Sequence, residues 1–340
     1  MSRLTERGRA LWVLALLSPV IAELLSGSSP PLEFFVPTSF ALLLGLYGSG
    51  ALIVRELAVI WNRGWASVFV LGAAYGILEE GVAVKSFFDP NWMDLGGLGV
   101  YGRFLGTNWV WAVWLTIFHA MISISLPILL IWLLYPNLRN TRFLTRRRFQ
   151  IVFTILFLDV FVCTIALNPF VPAAAMYMLA IAFVFGLSLF AKNLPRSFLG
   201  PASLLPSWRP WKFCALGFLT IFLSFMFAGA FVNSSVPPIV PIILIVALNF
   251  VSLQLIRANV GSSSNKPQVV GLASGLLLFM VILGAALQLA GVFGMGVVAL
   301  VTLIFVIDIN RWAMGKGVFV FRVSSFLHGR PKAVGSASGT

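Results

Sequence analysis

Two consecutive glutamates, Glu79 and Glu80, stand inside the apolar stretch 68–84, and His119 follows inside the next one. A carboxylate at membrane depth costs about 3 kcal/mol on insertion scales and turns toward a bundle interior or a wet cavity, so an intramembrane pair marks a candidate site. Consecutive helical residues point about 100° apart. That predicts one glutamate facing a cavity and the other bonding a neighbouring helix. The chemistry open to Glu79, Glu80 and His119 is catalytic: a general base with an adjacent acid, or a protonatable relay. A divalent metal held by Glu80 and His119 is the cofactor such a set would take. His119 also reads as a hydrogen-bonded structural residue. Counting 1.5 Å per residue, the depths of Glu80 and His119 differ by about 8 Å in a core of about 30 Å, a gap that helix tilt can close.

Further charged residues gather on the same side. Glu23 falls near the outer end of the first apolar stretch, Glu33 in the first outer loop, and Asp89, Asp94 and Arg103 in the second. These are candidate substrate- or ion-binding residues, and the acids give an outer vestibule a negative field. Glu56, beside Arg55, reads instead as an interfacial ion pair. The second outer loop, 86–103, mixes aromatics, acids and glycines, and its length and apolar content suit a lid, a re-entrant segment or a loop lying in the headgroups.

The elements that must position these residues follow from composition. With 60% hydrophobic and 10% charged residues in 340 and a mean hydropathy of +1.00, the chain is too apolar for a soluble fold. It reads as an all-α, polytopic transmembrane helix bundle, embedded in a lipid bilayer and expected in the plasma membrane. About ten spans of roughly 20 residues are predicted, near 10–26, 38–61, 66–85, 108–134, 149–167, 172–191, 213–232, 238–256, 269–290 and 293–310. If the N-terminus is cytoplasmic, only Lys85 and Arg103 of the 23 basic residues fall outside, so both termini are predicted inside. Tryptophans at the span ends match an aromatic belt. The net charge of +13 is thereby explained by topology, and no nucleic-acid partner is expected. Glu23 within the first stretch, and the lack of a small-residue cleavage site, predict a retained span rather than a signal peptide. Cys163 and Cys214 fall near opposite faces, which argues against a disulfide.

Eight of the ten acids precede residue 95, which divides the chain into a four-helix region carrying the polar site (1–135), a basic loop (136–148), a six-helix apolar scaffold (149–310) and a basic tail (311–340). The end of that tail, Gly329–Thr340, is small and polar and is predicted disordered.

Glu79-Glu80, then His119 on the next helix, resembles the CPBP group of CAAX-processing and bacteriocin-processing intramembrane proteases, whose motifs are EExxxR, FxxxH and HxxxN or HxxxD. The resemblance covers about residues 70–170. Val84 stands at the arginine position with Lys85 next to it, Leu115 stands at the aromatic position, and Asn168 alone represents the third motif. The resemblance implies a glutamate- and histidine-lined site around a catalytic water or metal, with Asn168 as a binding residue and a membrane peptide as substrate. It also admits a relative that keeps the fold without the activity. Two other classes fit the same residues: a proton- or cation-coupled transporter of a small molecule, and a membrane scaffold whose carboxylates satisfy helix contacts. No nucleotide-binding motif is present.

Overall fold

The computed structural model describes residues 5–200, 207–260, 266–316 and 319. The predicted end of the tail, 329–340, lies outside the described residues. Among the described residues, nine helices are long and apolar enough to cross a membrane. They are α2 (Pro37–Ile60), α3 (Trp65–Ala83), α4 (Trp109–Leu134), α5 (Arg146–Leu167), α6 (Ala174–Asn193), α7 (Pro210–Gly229), α8 (Ile239–Asn259), α9 (Lys266–Leu289) and α10 (Met295–Ala313). A further helix, α1 (6–24), precedes them. It falls outside the apolar set because it carries Glu6, Arg7, Arg9 and Glu23, yet Ala10, Leu14 and Ala15 are buried in the core. Ten helices therefore stand where ten were predicted, with ends displaced by a few residues. A two-residue hairpin, β1 (Arg103–Phe104) with β2 (Thr107–Asn108), is the strand pairing among the described residues.

The helices alternate in direction. At the face carrying the N-terminus, here the proximal face, Arg7 reaches Phe143 and Arg196 reaches both Asn62 and Asn140. At the opposite, distal face, Lys85 meets Phe170 and Tyr101 meets Val236. Helices α1 to α4 form the centre, with α3 packed along α4. On one flank α5 lies against α2 and α6 against α3; on the other, α7, α8 and α9 lie against α4, and α10 against α9.

Arg55 and Glu56, expected at the interface, are fully buried. Arg55 donates to Glu56 at 2.6 Å and to the carbonyls of Leu138 and Thr141, while Glu56 accepts from the backbone N–H groups of Phe143 and Leu144. The Arg55 guanidinium lies 3.3 Å over the Phe143 ring. The correction has a simple cause: the connection after α4 folds back over the pair and removes it from water. Breaking such a pair leaves a buried charge unmatched.

Candidate functional site

The site is built on interruptions in the helices. The i→i+4 ladder gives way to a wider π turn at Val20–Leu24 in α1, Leu44–Gly48 in α2, Ile77–Ala83 in α3, His119–Ser125 in α4 and Cys163–Leu167 in α5. Such turns gather at functional sites. Four of them carry the polar residues: Glu23, Tyr47, the Glu79–Glu80 pair, and His119 with Ser123. Glycines let α3 and α4 approach this closely. A Cβ at Gly76 would lie 2.8 Å from the His119 Cβ, and one at Gly72 would lie 2.9 Å from the Ala120 Cα. His119 thus rests directly on the α3 backbone, one turn from the glutamates.

Both glutamates reach the ring, contrary to the expectation from a 100° separation. His119 Nε2 is 3.0 Å from Glu80 Oε1, and Nδ1 is 3.2 Å from Glu79 Oε2. The i→i+5 turn widens the helix and narrows the angle between consecutive side chains, while imidazole offers one nitrogen to each. Nδ1 is also 2.9 Å from Ser123 Oγ. Beyond its contact with Nδ1, Glu79 Oε2 completes no hydrogen bond, and the Tyr75 ring lies 6.3 Å from the imidazole.

The cluster continues in both directions. The Ser86 hydroxyl donates to Glu80, and its oxygen accepts from Trp111 Nε1 at 3.1 Å. The Tyr47 hydroxyl bonds both Glu23 and Glu79, and Ser29 Oγ donates to Glu23 at 2.7 Å. A phenol carries one proton. It can donate to only one of Glu23 and Glu79, so the other carboxyl supplies the proton of the second bond. The result is two hydrogen-bonded strings, Ser29–Glu23–Tyr47–Glu79 and Ser123–His119–Glu80–Ser86–Trp111, which meet at the 3.2 Å ion-pair contact between Glu79 and His119. The Tyr47 ring stacks on His119 at 6.1 Å between centroids.

Of the candidate residues, Glu23, Glu79, Glu80 and His119 are brought together. Ligand atoms of Glu79, Glu80 and His119 all lie within 4.8 Å of one another. One imidazole and two carboxylates are the three-ligand kind of set found in catalytic zinc sites, and the unpartnered Glu79 oxygen gives a cation something to satisfy. The residues therefore fit a divalent metal.

Asp89 and Asn168 occupy a different knot. Asn168 Nδ2 donates to Asp89 Oδ2 at 2.9 Å and to the Val84 carbonyl at 3.1 Å. Lys85 beside them donates to the carbonyls of Thr164, Asn168 and Phe170. This caps the end of α5. Burial lowers the Lys85 pKa, and Asp89 acts in the opposite direction. Arg103 donates to the carbonyls of Phe88 and Gly106 and braces the hairpin. Glu33 and Asp94 are exposed.

Sequence reading missed Tyr47, Tyr75, Ser29, Ser86, Trp111 and Ser123. A usable signal existed for Tyr47, which stands deep in a span among Gly45, Gly48 and Gly50, away from the span ends where aromatic belts lie. The loop 86–103 touches the site at Ser86, and its Phe87, Phe88, Leu95 and Leu98 are buried.

These features define an integral, multi-pass membrane protein with a buried carboxylate–histidine cluster in its first four helices. The chain belongs to an uncharacterized membrane protein family, whose model matches residues 12–330. No curated protein and no solved structure matches it.

Proposed function

We propose that the chain is an intramembrane hydrolase resembling the CPBP peptidases, acting on peptide bonds presented within the bilayer. The observation that carries this reading is the 3.0 Å contact between His119 Nε2 and Glu80, beside Glu79 Oε2, which completes no hydrogen bond. Buried polar atoms left unpaired call for a water or an ion. In this reading Glu80 takes a proton from the attacking water, whose oxygen bonds the peptide carbonyl carbon. His119 returns a proton to the amine nitrogen as the C–N bond breaks. Glu79 and Tyr47 hold the imidazole and its partner carboxylate in place. A divalent metal held by Glu79, Glu80 and His119 would supply Lewis-acid polarisation of the carbonyl. In this reading the basic residues of the proximal connections would lie in the cytoplasm, which would set the cluster in the outer half of the bundle.

The test is cleavage of a membrane-embedded peptide library by purified protein in proteoliposomes. Glu80→Gln and His119→Ala should each lower turnover by about 10²–10⁴-fold. Cleavage that survives both substitutions, or none by the unsubstituted protein, sinks the reading. A second reading is favoured by the run of polar contacts from Ser29 to Trp111 and the interrupted helices, the latter a feature also of ion-coupled transporters. Proton or cation flux in the same vesicles that disappears in Glu79→Gln, without any cleavage, would select transport.

A further inference from the structure

A second feature lies on the other side of α1 from the titratable cluster. Between α1 and α10 a cavity of about 400 Å³ is walled by Ile21, Leu24, Leu130, Val298, Val301 and Phe305 among others. Its lining is apolar. The one hydroxyl, Thr302 Oγ1, is turned to the Val298 carbonyl at 2.7 Å. Along α1 the lining runs from Leu17 to Leu25, and along α10 from Val297 to Phe305, which at 1.5 Å per residue is a slot about 12 Å long. At the distal end the lining reaches Pro31 and Gly294, where a Cβ on the glycine would lie 3.0 Å from Pro31 Cγ and a φ of +87° disfavours any side chain.

Size decides the class of occupant. A slot about 12 Å long, lying between two helices and lined by apolar side chains, matches an extended alkyl chain in length and in chemistry. Charge decides the headgroup. The described distal loops carry five charged residues: Glu33, Lys85, Asp89, Asp94 and Arg103. Both cations direct N–H groups at backbone carbonyls, and Asp89 accepts from Asn168. Those hydrogen bonds leave each charge in place, so three acids stand against two bases; exposed Glu33 lies on the short helix Pro31–Phe34 over the slot, and Asp94 is exposed as well. The rim at the distal leaflet is therefore acidic. Leu32 and Phe35 flank Glu33 as exposed apolar residues, the setting of a headgroup boundary.

We propose that the α1–α10 slot holds one acyl chain of a bilayer phospholipid whose ammonium headgroup lies against Glu33. The wall of the slot is the same π turn, Val20–Leu24, that carries Glu23 on another face. An occupied slot thus supports the turn from behind. The proposal is independent of whether the cluster hydrolyses or transports.

The test is native mass spectrometry of the full chain released from nanodiscs containing equal phosphatidylethanolamine and phosphatidylglycerol. One tightly held phosphatidylethanolamine per chain is expected, preferred about fivefold, the ratio one interfacial charge supports. Val298→Trp should lose the bound lipid while circular dichroism shows the helices intact; if it does not fold, Val301→Phe replaces it. Glu33→Gln should keep a bound lipid and lose the headgroup preference. Equal lipid retention by the unsubstituted and filled variants overturns the proposal, as does a preference for phosphatidylglycerol. So does crosslinking of Val298→Cys to another polypeptide.

Discussion

The first four helices and the last five solve the problem of living in a bilayer differently. The most apolar stretches of α2, α3 and α4 are 72–78% buried within the protein, whereas those of α6 and α8 are 11% and 17% buried. All the π turns among the described residues precede Asn168; α6 to α10 run without one. Polar groups follow the same division. In the first region carboxyls, an imidazole and a phenol share one cluster, whereas the second has neutral interhelical hydrogen bonds, Thr220 with Ser252, Asn249 with Ser224 and Asn310 with Ser274, and a cation–π contact of Lys266 on Trp312 near its end. Charge is tolerated at depth only where protein surrounds it on every side. A widened turn is likewise tolerated where neighbouring helices meet its displaced backbone groups. The bulk of the second region is what makes the first region's interior.

Substitutions can break or sharpen this contrast. The largest effect should come from Arg55→Ala, which strands buried Glu56 and should cost about 3–5 kcal/mol, read as a loss of folded protein in thermal unfolding. Gly76→Val comes next. It drives a side chain into His119 and should cost about 1–3 kcal/mol while also abolishing whatever activity Glu80→Gln abolishes. Gly45→Ala pushes a methyl into the carboxyl of Asp159. It should destabilise by about 1–3 kcal/mol, and the loss should shrink in the double variant with Asp159→Ala, since contacting residues are not additive. The smallest effect is expected for Asn249→Ala, about 0.6 kcal/mol, the average for one hydrogen bond between membrane helices, with activity unchanged. A loss at Asn249 as large as that at Gly76 would erase the distinction between the two regions.

The spans were legible in the sequence because a bilayer forces long apolar stretches, and nearly every polar exception within them could be seen. The Glu–Glu pair and His119 were visible on that ground, and the estimated gap in their depths is closed in the structure by a direct contact. What stayed hidden was geometric. A π turn has no composition of its own, so the angle between Glu79 and Glu80 was taken from a regular helix. Tyr47 and Tyr75 count as apolar in a hydropathy window, which conceals their hydroxyls. Asp89 and Asn168 are polar and lie near the site in the chain, but a lysine and backbone carbonyls hold them elsewhere. The burial of Arg55 and Glu56 depended on a loop folding back, which periodicity does not report.

The order of synthesis gives the buried Arg55–Glu56 pair another significance. Every member of the polar cluster from Ser29 to Trp111 lies at or before Ser123, and the backbone groups that close over Glu56 end at Leu144. Proteins emerge N-terminus first, and early segments can fold while later ones are still being made. A nascent chain that has just passed Leu144 already contains every residue of the cluster and of the fastening over Glu56. The later helices then enclose it, and the last, α10, arrives to face the first.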